Sequence, residues 1–182
     1  MILCFSSQKL LHRLILCLCC SLFCLIASAS PLSAQDMPIP VRIHVALLKK
    51  IFSFYCNFQD KPSPNVTIVY THDSEHIKDE AHQAFSEIGI EVKSLTLEEA
   101  LKGLGDADVV YVAPGAEGIQ KICDTQGVFS STGVPGLVSE GKVALGIGAE
   151  SGKPKVYIHA PSARMQKQEL TADLLRLAKV FE

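Results

Sequence analysis

His72, His76 and His82 are the first residues that invite chemistry, because two imidazoles four apart share one face of a helix, as metal-binding pairs do. Their neighbours argue against it. Ser74 followed by acidic Glu75 is a helix start that leaves His72 outside the helix, and neither a cysteine nor a third histidine stands close enough to complete a site. The three are therefore expected on solvated surface. His44 and His159 are isolated, and each is expected as a hydrogen-bonded core or rim residue rather than a base. Gly146-Ile147-Gly148 and Thr132-Gly133-Val134-Pro135-Gly136 could let main-chain amides approach a phosphate. The strand-to-helix GxGxxG and the terminal Gly-Lys-Ser/Thr are missing, however, so turn and hairpin geometry is the expectation. Ser130, Ser131 and Ser162 lack the nucleophile-elbow context of a serine hydrolase. Asp106 and Asp108 stand before an apolar run and suit strand-end solvation better than a paired acid and base. The residues point to no enzyme, metal or cofactor.

Residues 1–34 contain no acid, carry Lys9 and Arg13, run apolar from Leu14 to Ala29 and close on ASASPLSA, the pattern of a secretory signal peptide. The apolar run, 16 residues, is shorter than the roughly 20 that span a bilayer. Cleavage after Ala34 or Ala29 meets the small-residue rule, and Ala34 leaves polar Gln35 and Asp36 at the start. Residues 35–182 then form one domain of 148 residues, with 15 basic and 19 acidic side chains. That acidic balance without a clustered basic footprint argues against nucleic acid. Of the seven cysteines only Cys56 and Cys123 lie beyond the leader, destined for a compartment where disulfides persist. They could pair if their α-carbons come within about 7 Å, or stand apart as shielded thiols.

The elements follow from period and punctuation. Ile43, Leu47, Leu48, Ile51, Phe52 and Tyr55 repeat at helical steps, predicting an amphipathic helix from about Pro40 to Tyr55. Cys56 to Pro64 is proline-rich and reads as a loop. Val66–Tyr70 is a buried strand, and a helix from Ser74 follows with Ile77, Ala81, Ala84, Phe85 and Ile88 on its apolar face and Gly89 at its end. Ile90–Leu95 is a second strand, Thr96 opens a short helix reaching Leu104, and Ala107–Val112 is a third, almost wholly apolar strand, as a parallel sheet covered on both faces requires. Pro114–Cys123 reads as a crossover helix, Val128–Ser131 as a fourth strand and Pro135–Glu140 as a loop or single turn. Val143–Ile147 and Val156–Ala160 then form a hairpin joined through Gly148, Ser151, Gly152 and Pro154. From Leu170, the spacing of Leu170, Leu174, Leu177 and Phe181 predicts a closing helix. The fold expected is α/β: a three-layer, open, mostly parallel sheet with a C-terminal β-hairpin and closing helix.

The leader, the ALLKKIF helix, the ADVVYVAP strand and above all GKVALGIGAESGKPKVYIHAPSARMQKQELTADLLRLAKV resemble the YfiR/HmsC family of periplasmic proteins. The likeness covers nearly all of the chain after the leader. It implies a compact, non-enzymatic, periplasmic α/β protein that binds the periplasmic sensor domain of an inner-membrane signalling protein, a diguanylate cyclase, and holds it inactive, upstream of cyclic di-GMP and biofilm control. Pairing into a homodimer stays open. Arg164 matches a basic position of the family pattern and is the candidate partner contact; the plainer role is a surface arginine at the strand-to-helix turn. The chain departs from the family in having no tryptophan and no cysteine in Val66–Tyr70 or Ala107–Val112, so a redox-controlled disulfide carries over poorly. The alternative function is a small-ligand-binding protein feeding a transporter or sensor, with a cleft at the carboxyl ends of the strands near Thr71–Ser74 and Ala113–Ala116.

Overall fold

Val66–Tyr70, four β-branched residues and a tyrosine, forms strand β1 with the bounds its pattern predicts. The computed structural model describes residues 39–54 and 63–182, all within a unit running Gln35–Glu182. The leader, Tyr55, Cys56 and most of the proline-rich loop lie outside the described residues.

Around β1 the described residues build a seven-stranded sheet in the order β2-β1-β3-β4-β5-β6-β7, with β2 Val92–Thr96, β3 Val109–Val112, β4 Phe129–Thr132, β5 Leu145–Glu150, β6 Lys153–His159 and β7 Lys179–Phe181. The first five strands in this order are parallel, β6 runs antiparallel to β5, and β7 is parallel to β6. Helices α1 (Val41–Phe52) and α2 (Glu75–Glu87) share one core with the sheet through Val45, Leu48, Phe85, Ile68, Tyr111 and Ile147. On the opposite face α3 (Leu97–Ala100), α4 (Gln120–Gln126) and α5 (Pro135–Ser139) pack through Ala100, Cys123 and Leu137 onto Val69, Val110 and Val112. This is the expected three-layer α/β architecture. The continuous apolar run of β3, buried throughout, is what covering on both faces demands.

Several element bounds differ from the sequence expectation. Helix α1 ends at Phe52 and its buried face includes His44 while Ile43 is exposed, a shift of one position in phase. The segment expected as one crossover helix divides into a 3-10 turn, Glu117–Ile119, and α4, which Gly127 closes in the left-handed conformation. Residues 135–139 make a short helix, with Pro135 preset for its first turn.

The largest correction is at the end of the chain. The apolar run of β6 stops at His159, and Pro161 sits in the first turn of an additional helix, α6 (Ala160–Met165). The closing helix α7 spans only Ala172–Leu177; Ala178 is extended, and Lys179–Phe181 pair with Tyr157–His159. Leu174 is buried at 2% exposure whereas Leu177 is 62% exposed, so the helical spacing of Leu177 and Phe181 reflects no shared buried face. A free strand edge on β6 outcompetes helix extension for a segment holding β-branched Val180 and aromatic Phe181.

The hairpin turns at Ser151-Gly152, whose positive φ values of 52° and 74° suit a two-residue turn. Gly146 and Gly148 are not turn residues. They lie in β5 where α5 presses on the sheet: a Cβ on Gly146 would stand 2.6 Å from Val138, and one on Gly148 would overlap Pro135.

Candidate functional site

In a doubly wound sheet the crevice forms where the strand order reverses, here between β1 and β3 at their carboxyl ends. Thr71 and Ser74 close the β1 side: the Thr71 N–H donates to Ser74 Oγ at 3.0 Å, the two hydroxyls are 3.1 Å apart, and the Ser74 N–H donates to the Thr71 carbonyl at 3.0 Å. Gly115 closes the β3 side with φ of 84°, and its missing Cβ would lie 3.2 Å from Thr71 Oγ1. A side chain here would crowd the Thr71 hydroxyl and be strained at this positive φ, so glycine eases the close approach of the two loops. His72 and Asp73 are exposed at the rim. A second recess, about 440 Å³, lies at the far end of α2 against β2, lined by His82, Ser86, Gly89, Ile90, Glu91 and Val92.

The residues singled out for chemistry disperse. His72, His76 and His82 are all exposed, as expected, and no group of three metal-ligating side chains occurs among the described residues. Asp106 and Asp108 anchor the start of β1: Asp108 Oδ2 accepts from the Asn65 N–H at 2.9 Å, and Asp106 accepts from Lys93 at 2.7 Å, an ammonium whose hydrogen bond lowers the carboxyl's pKa. Cys123 is a free thiol in the α4 core; burial, reinforced by the Asp124 charge, pushes it up to about 12. Its suggested partner Cys56 lies outside the described residues. Arg164 is exposed on α6.

His44 is fully buried. Its Nδ1 lies 3.1 Å from the Tyr111 hydroxyl, Nε2 has no hydrogen-bond partner among the described residues, and burial pulls the imidazole down to about 3 against a weaker opposing pull from the Thr132 backbone. The same burial, with the Glu80 charge, pushes the Tyr111 phenol up. The pair is a neutral polar contact in the core, the hydrogen-bonded core role expected for His44.

His159 and Ser162 come within 2.8 Å, the one contact among the described residues that resembles a base and its nucleophile. The surroundings assign it another role. His159 Nδ1 accepts from the Ser162 N–H at 3.2 Å, capping α6, and the Ser162 hydroxyl donates to the Gly141 carbonyl at 2.8 Å. Ser162 is 4% exposed, and the His159 ring packs where a Gly141 Cβ would be, 2.8 Å from Cε1. With Ser162 buried and its hydroxyl given to Gly141, this is a rim hydrogen bond that ties α6 to the loop before β5.

The sequence reading overlooked Gln166. The residue is wholly buried; Oε1 accepts from Ser130, and Nε2 donates to Asp124 Oδ1 at 2.9 Å. The polar run Gln166-Lys167-Gln168-Glu169 carries no local signal for that burial.

No protein-family model matches the chain, and no curated protein matches it. Among solved structures it is similar to a conserved domain protein from Vibrio cholerae O1 biovar El Tor, at TM-score 0.61 and 14% identity, covering 79% of this chain and 60% of that one. It is also similar to an ABC domain in complex with L-Trp from Streptococcus pneumonia, at TM-score 0.58 and 12% identity over 78% of this chain and 60% of that one. These identities describe a shared fold, and the present chain spans about 60% of each neighbour's length.

Proposed function

We propose that this chain is a non-catalytic periplasmic regulator that binds the sensor domain of an inner-membrane signalling protein, a diguanylate cyclase, and restrains it. The resemblance to the YfiR/HmsC family supplies the partner class. The observation that carries the reading is the role of the segment bearing that resemblance: Ala163 and Leu174 are buried at 2%, and the Gly141 carbonyl accepts from both Gln120 and Ser162, at 2.7 and 2.8 Å. These residues hold the domain together, so the segment that carries the resemblance belongs to the core of the fold. A regulator of this kind acts by its difference in affinity for two states of its partner. The test is cross-linking in cells, isolation of the bound membrane protein and assay of its cyclase activity. Added purified chain should suppress cyclic di-GMP synthesis, and unchanged synthesis at saturation contradicts the reading.

A second reading, small-ligand capture at the β1/β3 crevice, is favoured by the fold shared with an ABC domain that was solved with L-Trp. Thermal melting with L-tryptophan and a panel of amino acids tests it: a ligand at one hundred times its Kd adds roughly 2.7 kcal/mol, and no shift at millimolar ligand counts against it.

A further inference from the structure

The sheet ends on β7, a three-residue strand whose outer edge pairs with nothing among the described residues. Alternation gives this edge two unlike faces. In β6, Lys153, Lys155 and Tyr157 share one face, and the register Tyr157↔Lys179 and His159↔Phe181 sets Lys179 and Phe181 on the same side. The Tyr157 and Phe181 rings stack at 6.3 Å, with the Lys179 ammonium 6.0 Å from each. Lys153 and Lys155 form no ion pair among the described residues, and Lys179 meets Glu150 only at 3.6 Å with both side chains about half exposed. The other face, on the side of α7, presents apolar Val180, 37% exposed, with Leu177 just before the strand.

We propose that the β7 edge receives an extended segment of a partner protein in which acidic and apolar residues alternate, adding a strand to the sheet. Main-chain hydrogen bonds would hold the segment, its acids would face Lys155 and Lys179, and its apolar residues would cover Val180 and Leu177. Charge selects this occupant over a second copy of the chain. Antiparallel self-pairing about Val180 would add a second set of lysines to the lysine face, and edge lysines discourage such pairing between like sheets. The opposite edge does not offer the same chemistry, since Lys93 of β2 is bridged to Asp106 and Glu91 precedes the strand. The inference rests on the reading of the chain as a protein-binding regulator and gives that reading a docking surface.

The experiment titrates the purified protein with two labelled octapeptides, one alternating valine with glutamate and one alternating valine with lysine, and follows fluorescence anisotropy. The glutamate peptide should bind and the lysine peptide should not. Lys155→Glu combined with Lys179→Glu should weaken the glutamate peptide about tenfold and admit the lysine peptide, since two exposed charge pairs are each worth up to about 1 kcal/mol. Val180→Pro, which removes a main-chain donor from the edge strand, should abolish binding of the glutamate peptide. Equal binding of both peptides, no binding at millimolar peptide, an unchanged preference after charge reversal, or self-association that Val180→Pro abolishes would each overturn the proposal. Because the peptides involve no cyclase, their failure is separable from failure of the regulatory reading.

Discussion

Gln166 Oε1 accepts two hydrogen bonds from Ser130, one from the backbone N–H at 2.9 Å and one from the hydroxyl at 3.0 Å, and neither residue is exposed to solvent. Strand β4 pairs with β5 only through Ser131 and Thr132, so the Gln166 amide stands where a neighbouring strand would otherwise supply a carbonyl. The amide also reaches Asp124 on α4, and one side chain just past α6 thereby fastens a strand and a helix.

Replacing Gln166 with leucine leaves the Ser130 N–H buried without its acceptor. A loss of roughly 2–4 kcal/mol is expected, because each orphaned buried polar group costs on the order of 1–3 kcal/mol. Urea unfolding measures it, and a loss below about 1 kcal/mol would mean that water or a shifted backbone replaces the amide.

Burial holds His44 down to about 3, whereas an unperturbed imidazole titrates at 6.5. The unfolded chain therefore takes up a proton below pH 6.5 that the native protein refuses until near pH 3. The His44 contribution to stability is complete above pH 6.5 and is lost as pH falls, at up to ~1.4 kcal/mol per unit. His44→Phe should flatten the acid limb of the stability curve between pH 6 and 4 relative to the parent protein, and parallel limbs would contradict the assignment.

Leu174 and Leu177 separate the observed chain end from the simple helical reading. Leu174→Asp places an unpaired charge in the core and should abolish the cooperative melt. Leu177→Asp should change stability by no more than about 0.5 kcal/mol, as expected of an exposed position. A severe loss from the second substitution would restore a longer buried helix.

Gly148→Ala should destabilise by roughly 1–3 kcal/mol or more, because the added methyl overlaps Pro135 and forces α5 away from β5. Gly136→Ala, where nothing lies within 4 Å of an added Cβ, is the control and should be close to neutral in calorimetry.

These positions also mark how far sequence reasoning reaches. Strand β1, the Thr96 helix start and the three-layer architecture are legible because they are written in local residue types and in the alternation of strands with helices. The chain end misled because Leu170, Leu174, Leu177 and Phe181 fit a helical period, while the deciding partner, the open edge of β6, is remote in spacing. Gly146 and Gly148 look like turn formers in sequence because a close helix approach leaves no trace in neighbouring residues. Gln166 escaped for the same reason: its burial comes from Ser130 and Asp124, 36 and 42 residues away. Pro161 at the start of α6 was the one local signal passed over.

The proposed restraint of a membrane cyclase by this protein is tested most directly by cellular cyclic di-GMP. Deleting the gene should raise the nucleotide, and expressing the full chain from a plasmid should return it to the parental level. An unchanged level in the deletion strain, measured under conditions where the protein is present in the parent, would contradict the account.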